Sequence, residues 1–274
     1  MAAKARCVWL YAVAAEGGRY GFAAGGAIPA DVAGVCGGPV RMVSADGLTA
    51  VVEDVDEREF GAAALRRNLE NLDWLDRTAR AHHAVIEAAA ERGPVVPMRL
   101  ATVYSSEAKV AGMLRQRAAD LHSALSRITA CSEWGVKAFA AEPAAAEAPA
   151  PQEQADPGTE PTGPGAAYLQ RRRAQLTARR SSREEAMISA QRIHADLERH
   201  SVSSRLYPAQ SPDLAGRQAK MVLNAAYLVT DERADEFAAA VADLAVGHPS
   251  VRLALTGPWP AYSFAGDPET AEQP

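Results

Sequence analysis

The order of hydrophobic segments after residue 132 constrains the fold of this chain more than any other feature. Apolar periodicity predicts four strands and two helices there, in the order strand, helix, strand, strand, helix, strand. These segments cover residues 134–140, 166–200, 201–207, 219–229, 231–246 and 251–255. The order βαββαβ is the split-βαβ or ferredoxin-like order. We therefore expect an antiparallel sheet in the second half, with two helices on one face.

The first half also mixes strands and helices, so the whole chain is predicted to be α+β. Strands are predicted at 8–13, 40–44, 48–55 and 95–101, and helices at 60–92 and from 105 to about 125. Asn71 can interrupt or re-cap the first of these helices. Residues 16–39 are rich in glycine, whose backbone entropy resists regular structure, and are predicted to be a loop. After 255, Gly257, Pro258 and Pro260 are expected to end regular structure.

Length and a change in composition indicate two domains. With about 150 residues per domain as a guide, 274 residues suggest two. Residues 141–165 hold many prolines, no basic residue and almost no large apolar side chain. Such a segment buries too little surface to offset its ordering entropy, and we predict a disordered insertion. The expected domains are 1–131 and 132–274, with the insertion inside the second.

Charge and cysteine content argue against several classes of protein. The formal net charge of −5 is the opposite of the basic excess that nonspecific nucleic-acid binding requires. Three cysteines, an odd number without CxxC spacing, favour a reducing cytoplasm over a disulfide framework. No apolar run is long enough to cross a membrane. Residues 7–15 resemble a signal peptide after Lys4 and Arg6, but the alternation of Trp9 and Tyr11 with aliphatic residues favours a buried strand.

The search for catalytic and metal-binding residues leaves one cluster to interpret. His82 and His83 precede Glu87, which shares a helix face with His83. No third or fourth zinc ligand and no HExxH spacing accompany them, so we interpret them as polar positions on an amphipathic helix. The glycine-rich residues 16–39 match no phosphate-binding motif. We expect no enzyme activity, no cofactor, no metal and no small-molecule substrate.

Two surface features are candidates for partner binding. The first is a run of arginines on the helix predicted at 166–200, comprising Arg171, Arg172, Arg173, Arg179, Arg180 and Arg183. This run suits an acidic partner or is simply a solvated helix face. The second is an aromatic segment after the last strand, formed by Trp259, Tyr262 and Phe264. It either packs over its own domain or presents a contact surface.

Several segments together resemble the gas vesicle GvpF/GvpL family, in the family's order and across nearly the whole chain. The proline-flanked VVPMRLATVY and the terminal LTGPWPAYSF are the specific motifs, although Leu100 stands where the family often has an aromatic residue. The matching segments are VWLYAV (8–13), RAHHAVIEAAAERGPVVPMRLATVYSS (80–106), EWGVKAF (133–139), GAAYLQRRR (165–173), NAAYLV (224–229) and LTGPWPAYSF (255–264). These motifs do not distinguish the GvpF-like branch of the family from the GvpL-like branch.

This resemblance implies a protein that assists gas vesicle assembly or forms a minor part of the vesicle. It implies two α+β domains, the first a modified ferredoxin-like domain, and a partner in the main shell protein GvpA and other gas vesicle proteins. The expected location is the gas vesicle or the cytoplasm. Partner contact is expected at Arg171, Arg172, Arg173, Arg179, Arg180, Trp259, Tyr262 and Phe264. The alternative is a small-molecule sensor, because paired ferredoxin-like domains often bind ligands.

Overall fold

The structure, a computed structural model, describes residues 5–17, 28–29, 31–141, 164–209 and 220–266. The described residues form two units. The first unit comprises those within Met1–Glu133 and Gly257–Pro274, and the second those within Trp134–Thr256. Residues 18–27 and 30 of the glycine-rich loop predicted at 16–39, and nearly all of the predicted insertion at 141–165, lie outside the described residues.

Within its described residues, the first unit contains five strands and five helices, some of them only two to four residues long. Its strands are β1 (Arg6–Ala15), β2 (Arg41–Ala45), β3 (Leu48–Asp56), β4 (Val95–Pro97) and β5 (Val103–Tyr104). Its helices are α1 (Glu57–Phe60), α2 (Ala62–Asn68), α3 (Leu72–Ala90), α4 (Glu107–Gln116) and α5 (Ala118–Ile128). The strands are ordered β2-β3-β1-β4 in one antiparallel sheet, and β5 also pairs with β1.

Strand β1 is buried from Cys7 to Ala14 because helices cover both faces of its sheet. On one face α3 contributes Ile86 to a core with Trp9 and Phe60. On the other face α4 and α5 contact β1, β2, β3 and β4. A register shift between Leu10 and Ala12 marks a β-bulge, which turns consecutive side chains toward one face. Burial on both faces explains why β1 has a nearly continuous apolar sequence.

The predicted helix at 60–92 is divided into three. Gly61 separates α1 from α2, and Asn71 caps α3 by accepting hydrogen bonds from the backbone N–H groups of Asp73 and Trp74. The predicted re-capping at Asn71 is therefore confirmed. The strand predicted at 95–101 is only three residues long, and the next helix breaks at Arg117.

The second unit has the predicted order βαββαβ. Its strands are β6 (Cys131–Ala140), β7 (Ser203–Leu206), β8 (Met221–Thr230) and β9 (Val251–Trp259). Its helices are α6 (Pro164–Arg199) and α7 (Ala234–Gly247), the latter after a 3₁₀ turn at Asp231–Arg233. The sheet order is β7-β8-β6-β9, so the second and third strands of the unit precede the first and fourth. The first four strands of the first unit have the same spatial order. Both units combine strands with helices, which confirms the predicted α+β class.

One expectation about the chain after residue 255 is wrong. Strand β9 continues through Gly257 and Pro258 to Trp259, where the prolines were expected to end regular structure. The reason is the position of β9 at an edge of its sheet. An edge strand tolerates proline because a missing N–H on its outer side breaks no ladder hydrogen bond.

Helix α6 packs against its own unit only through its C-terminal half. Ala186, Ala190, Ile193 and Leu197 recur at helical spacing and are buried in the core of the second unit. None of the side chains described between Tyr168 and Glu185 is buried. We call residues 164–185 the arginine arm. In the ranges that the structure describes, no helix has both the length and the apolar character of a membrane span.

The two units differ from the predicted domains mainly at the C-terminus. The division falls between Glu133 and Trp134, close to the expected boundary at 131/132. Residues from Gly257 onward belong to the first unit, although the prediction placed them in the second domain. The chain therefore passes twice between the units. We call residues 257–266 the C-terminal strap.

Candidate functional site

A buried histidine organises the polar interior of the first unit. His82 lies on α3 and is 4% exposed. Its Nδ1 accepts a hydrogen bond from the indole Nε1–H of Trp9 at 3.0 Å, and its Nε2 lies 3.1 Å from the carbonyl oxygen of Met98. These partners place the ring proton on Nε2. Burial lowers the pKa of His82 to about 4, so the ring is neutral and links α3 to β1.

A buried carboxylate lies on the neighbouring strand. Glu53 on β3 is 1% exposed and accepts a hydrogen bond from the Tyr11 hydroxyl at 2.5 Å. The same hydroxyl accepts the backbone N–H of Val35 at 2.8 Å, and Glu53 Oε1 accepts that of Gly38 at 2.9 Å. Burial, followed by the hydrogen bond to Glu53, raises the pKa of Tyr11. The pair thus fixes the segment 34–38 to the sheet.

This fixed segment requires glycine next to the carboxylate. A Cβ atom at Gly34 would overlap the side chain of Glu53, and one at Gly38 would lie 2.9 Å from Oε1. Among the described residues, every buried side-chain nitrogen or oxygen has a hydrogen-bond partner. Hydrogen bonds within the protein therefore account for this network. The network therefore has a structural role, which is to hold the segment 34–38 against strands β1 and β3.

The C-terminal strap is held on the first unit by three separate contacts. Glu133 accepts hydrogen bonds from the backbone N–H and the hydroxyl of Ser263, both at 2.6 Å. Arg127 donates to the carbonyl oxygen of Phe264 at 3.1 Å. The Phe264 side chain is buried. For this residue the packing interpretation of the aromatic segment agrees with the structure.

The other two aromatic residues of the strap form a surface cluster with α3. The His83 ring lies 5.6 Å from the ring of Trp259 and 5.9 Å from that of Tyr262. His83 Nδ1 also lies 2.9 Å from the Tyr262 hydroxyl, and its Nε2 lies 3.1 Å from Glu87. Both aromatic side chains remain 39% exposed. We call His83, Trp259 and Tyr262 the aromatic surface cluster.

The predicted arginines lie on the arginine arm, in the second unit. Arg172, Arg173 and Arg180 are exposed, and Arg180 pairs with Glu184 at 3.0 Å on the same helix. Arg171 and Arg179 occupy helical positions on the same arm. The exposed apolar side chains Tyr168, Leu169 and Leu176 accompany them. The arginines and the aromatic surface cluster therefore belong to different units.

Helix α3 places the side chains of the predicted cluster, His82, His83 and Glu87, in different surroundings. His82 is buried with Trp9, whereas His83 faces the strap. Across the described residues, no three His, Cys, Asp or Glu side chains come together in a way that could hold a metal ion.

Sequence reasoning missed the Tyr11–Glu53 pair. A signal was present, because Glu53 interrupts an apolar strand at a position whose neighbours two residues away are Val51 and Val55. In a strand, residues at that spacing share a face, so a carboxylate there required a buried partner. The identity of that partner depended on the pairing of β1 with β3.

Comparisons with known proteins agree across the length of the chain. Residues 7–266 match the family described as "Gas vesicle synthesis protein GvpL/GvpF". The chain is 37% identical over 242 residues to gas vesicle protein L of a Streptomyces species, covering 88% of each chain. It is 26% identical over 247 residues to gas vesicle protein F2 of Halobacterium salinarum, covering 89% of this chain and 88% of that protein.

Solved structures show the same fold. The crystal structure of GvpF from Anabaena sp. PCC7120 matches with a TM-score of 0.62 at 20% identity, over 96% of this chain and 97% of that chain. GvpF from Microcystis aeruginosa matches with a TM-score of 0.59 at 18% identity, over 95% and 99%. The family match and the Streptomyces relative carry the assignment. The chain belongs to the GvpL/GvpF family of gas vesicle synthesis proteins.

Proposed function

We propose that this protein assists gas vesicle assembly by binding the main shell protein GvpA and helping to nucleate or line the growing vesicle. Membership of the GvpL/GvpF family supports a role in gas vesicle synthesis. In this proposal the role is binding, without catalytic turnover, and it is exercised in the cytoplasm and at the vesicle. Other gas vesicle proteins are further expected partners.

A shell-forming protein needs such a binding partner because it is prone to aggregate. A shell-forming chain with apolar surface and unpaired strand edges aggregates unless its assembly is controlled. A protein that covers this surface transiently keeps the subunit available for ordered growth. Exposed aromatic side chains suit this purpose, since they bury a large apolar area while a polar end stays near water.

The aromatic surface cluster is the observation that carries the proposed contact. Trp259 and Tyr262 are each 39% exposed, although they stand on a strap whose neighbouring residue Phe264 is buried. The hydrogen bond between His83 and Tyr262 holds the tyrosine in place before any partner binds. A pre-organised aromatic side chain loses little conformational entropy on binding.

A co-purification experiment with the shell protein tests this contact. The variant W259A/Y262A should recover at most about one-tenth of the shell protein that the wild type recovers, the loss expected when aromatic anchors are truncated. The matched control L72A/V246A removes two other exposed apolar side chains, 78% and 85% exposed. It should bind like the wild type. Equal recovery by all three proteins would remove the cluster from the proposal.

The arginine arm is a second proposed contact region. The variant R172E/R173E/R180E reverses three exposed charges on the arm, and R58E/R66E/R92E reverses three exposed charges in the first unit. If the arm binds the shell protein, only the first variant should lose recovery, and the loss should depend on salt. Identical behaviour of both variants would indicate a general charge effect.

Deletion and localisation complete the test of the function. Removing the gene should abolish vesicles or reduce their number. Presence of the protein in washed, intact vesicles would favour a shell component, and absence would favour a transient assembly factor. If neither the shell protein nor another vesicle protein co-purifies with the wild type, the proposal has no basis.

One cavity among the described residues of the first unit gives the sensor alternative no support. This cavity, of about 60 Å³, is lined by residues that include Arg117, Asp120 and Arg127. Pockets for metabolite-sized ligands usually measure about 300–1,000 Å³. A shift of the melting temperature in a metabolite screen would revive the alternative.

A further inference from the structure

The arginine arm is a helix face that lacks a partner in the described part of the chain. The arm contains six arginines and, only at its C-terminal end, two acidic residues, Glu184 and Glu185, the first of which pairs with Arg180. The described side chains from Tyr168 to Glu185 are exposed or half-buried. Like charges three and four residues apart destabilise a helix, and the arm lacks the packed apolar face that supplies most helical stability in proteins. The arm should therefore gain stability from an anionic occupant.

The structure locates both ends of one such occupant, residues 142–163 of the same chain. The backbone N–H of Ala141 donates to the carbonyl oxygen of Ser250 at 2.9 Å. The hydroxyl of Ser250 lies 2.9 Å from that of Ser189, on the packed half of α6. The segment therefore begins beside Ser189. It ends at Pro164, the first residue of α6.

These two ends require the segment to bridge the length of the arm. Pro164 precedes Ser189 by 25 residues, which is about 38 Å at about 1.5 Å per helical residue. A segment of 22 residues spans about 26 Å as a random coil and about 68 Å as an extended polyproline chain. The required distance lies between these values. The segment is thus tethered at both ends of the arm and is present there at high effective concentration.

The charges of the segment complement those of the arm. It contains five acidic residues and no basic one, with acids at Glu142, Glu147, Glu153, Asp156 and Glu160. A second copy of the arm would be repelled by the first. An external acidic partner would have to compete with carboxylates that are already tethered nearby.

We propose that residues 142–163 bind in cis along the arginine arm and neutralise it electrostatically. The segment is then an internal competitor for any acidic partner of the arm. The regulatory consequence rests on the proposed function, because it concerns access to the arm by a vesicle protein. The contact itself is a property of the isolated chain.

Backbone amide exchange of residues 168–183 in the full-length protein tests the contact. In the wild type, raising NaCl from about 0.05 to about 0.5 M should speed exchange, because salt screens the attraction between segment and arm. In the variant E147Q/E153Q/D156N, exchange at low salt should be about fivefold faster. Salt should then speed exchange much less in this variant than in the wild type, because only two of the segment's five carboxylates, Glu142 and Glu160, remain and salt also screens the repulsion among the arginines.

The matched control removes three carboxylates outside the segment. The variant D267N/E269Q/E272Q makes the same change in net charge near the C-terminus and should retain the wild-type response to salt. The proposal is overturned if E147Q/E153Q/D156N exchanges like the wild type at both salt concentrations. It is also overturned if the control changes equally, or if protection disappears on dilution, which would indicate contact between copies.

This measurement requires no vesicle protein, so its outcome is independent of the proposed function. If amide exchange supports the contact and the shell protein fails to bind, only the proposed function is lost. If the shell protein binds and the salt responses do not differ, only the internal contact is lost.

Discussion

The hydroxyl of Tyr11 donates a 2.5 Å hydrogen bond to the buried carboxylate of Glu53 and accepts the backbone N–H of Val35. Two strands and the segment 34–38 therefore meet at one oxygen atom. The fold depends on this oxygen, because its loss leaves a buried acceptor and a buried donor without their partners. Unmade buried hydrogen bonds cost more free energy than made ones contribute.

The substitution Tyr11→Phe should lower the free energy of unfolding by about 2–3 kcal/mol. Urea denaturation followed by tryptophan fluorescence would measure this change. Tyr104→Phe, in the half-buried strand β5 of the same sheet, is the control and should change the free energy by less than about 1 kcal/mol. Equal midpoints for Tyr11→Phe and the wild type would show that the hydroxyl contributes nothing.

The buried His82 should make stability depend on pH in a defined window. Burial lowers its pKa from the ordinary 6.5 to about 4. Between these values the unfolded chain binds a proton that the folded chain does not, so stability falls as pH drops from about 6.5 to about 4. The contribution at stake is about 3 kcal/mol.

The variant His82→Gln tests this dependence, because glutamine can still accept from Trp9 and donate to Met98. Denaturation at a series of pH values should show a shallower decline below pH 6.5 for His82→Gln than for the wild type. His122→Gln changes an exposed histidine and should retain the wild-type slope. A wild-type slope in His82→Gln would assign the pH dependence to other groups.

We expect one residue of the strap to stabilise the fold and another to contribute to the proposed contact surface without stabilising the fold. Phe264 is 4% exposed and Tyr262 is 39% exposed. Phe264→Ala should therefore lower the free energy of unfolding by about 3–4 kcal/mol, and Tyr262→Ala by less than about 1 kcal/mol. Thermal denaturation of both variants distinguishes the two roles. Comparable losses would contradict the separation.

The two halves of α6 should respond differently to the same kind of truncation. Ile193→Ala removes a buried side chain from the core of the second unit and should cost about 3 kcal/mol. Leu176→Ala truncates a side chain that is 56% exposed, and alanine favours the helix as well as leucine does. Its cost should stay below about 0.5 kcal/mol. A large cost at Leu176 would mean that the arm packs on the protein.

Much of the fold was predictable where one local pattern dominated. The strand β8 and the long helix α6 agree with their predicted ranges within two residues, because β8 is a nearly continuous apolar run and no glycine or proline interrupts residues 166–200. The prediction was wrong at β9, where Pro258 was expected to end the strand. Tolerance of proline depends on whether a strand lies at an edge, and edge position is a property of the assembled sheet.

The candidate site was predictable only in part, for the same reason. Trp259 and Tyr262 were identified from composition, but their neighbour His83 is 176 residues from Trp259 in the chain and joins them only through folding. The sequence alone determined the α+β class, the βαββαβ order of the second unit and the family, because these follow from local periodicity and from motifs. Tertiary structure decided that the strap belongs to the first unit, that Phe264 is buried beside exposed neighbours, and that Tyr11 meets Glu53. These outcomes depend on which distant residues come into contact, and burial and hydrogen bonding between them have no local signature.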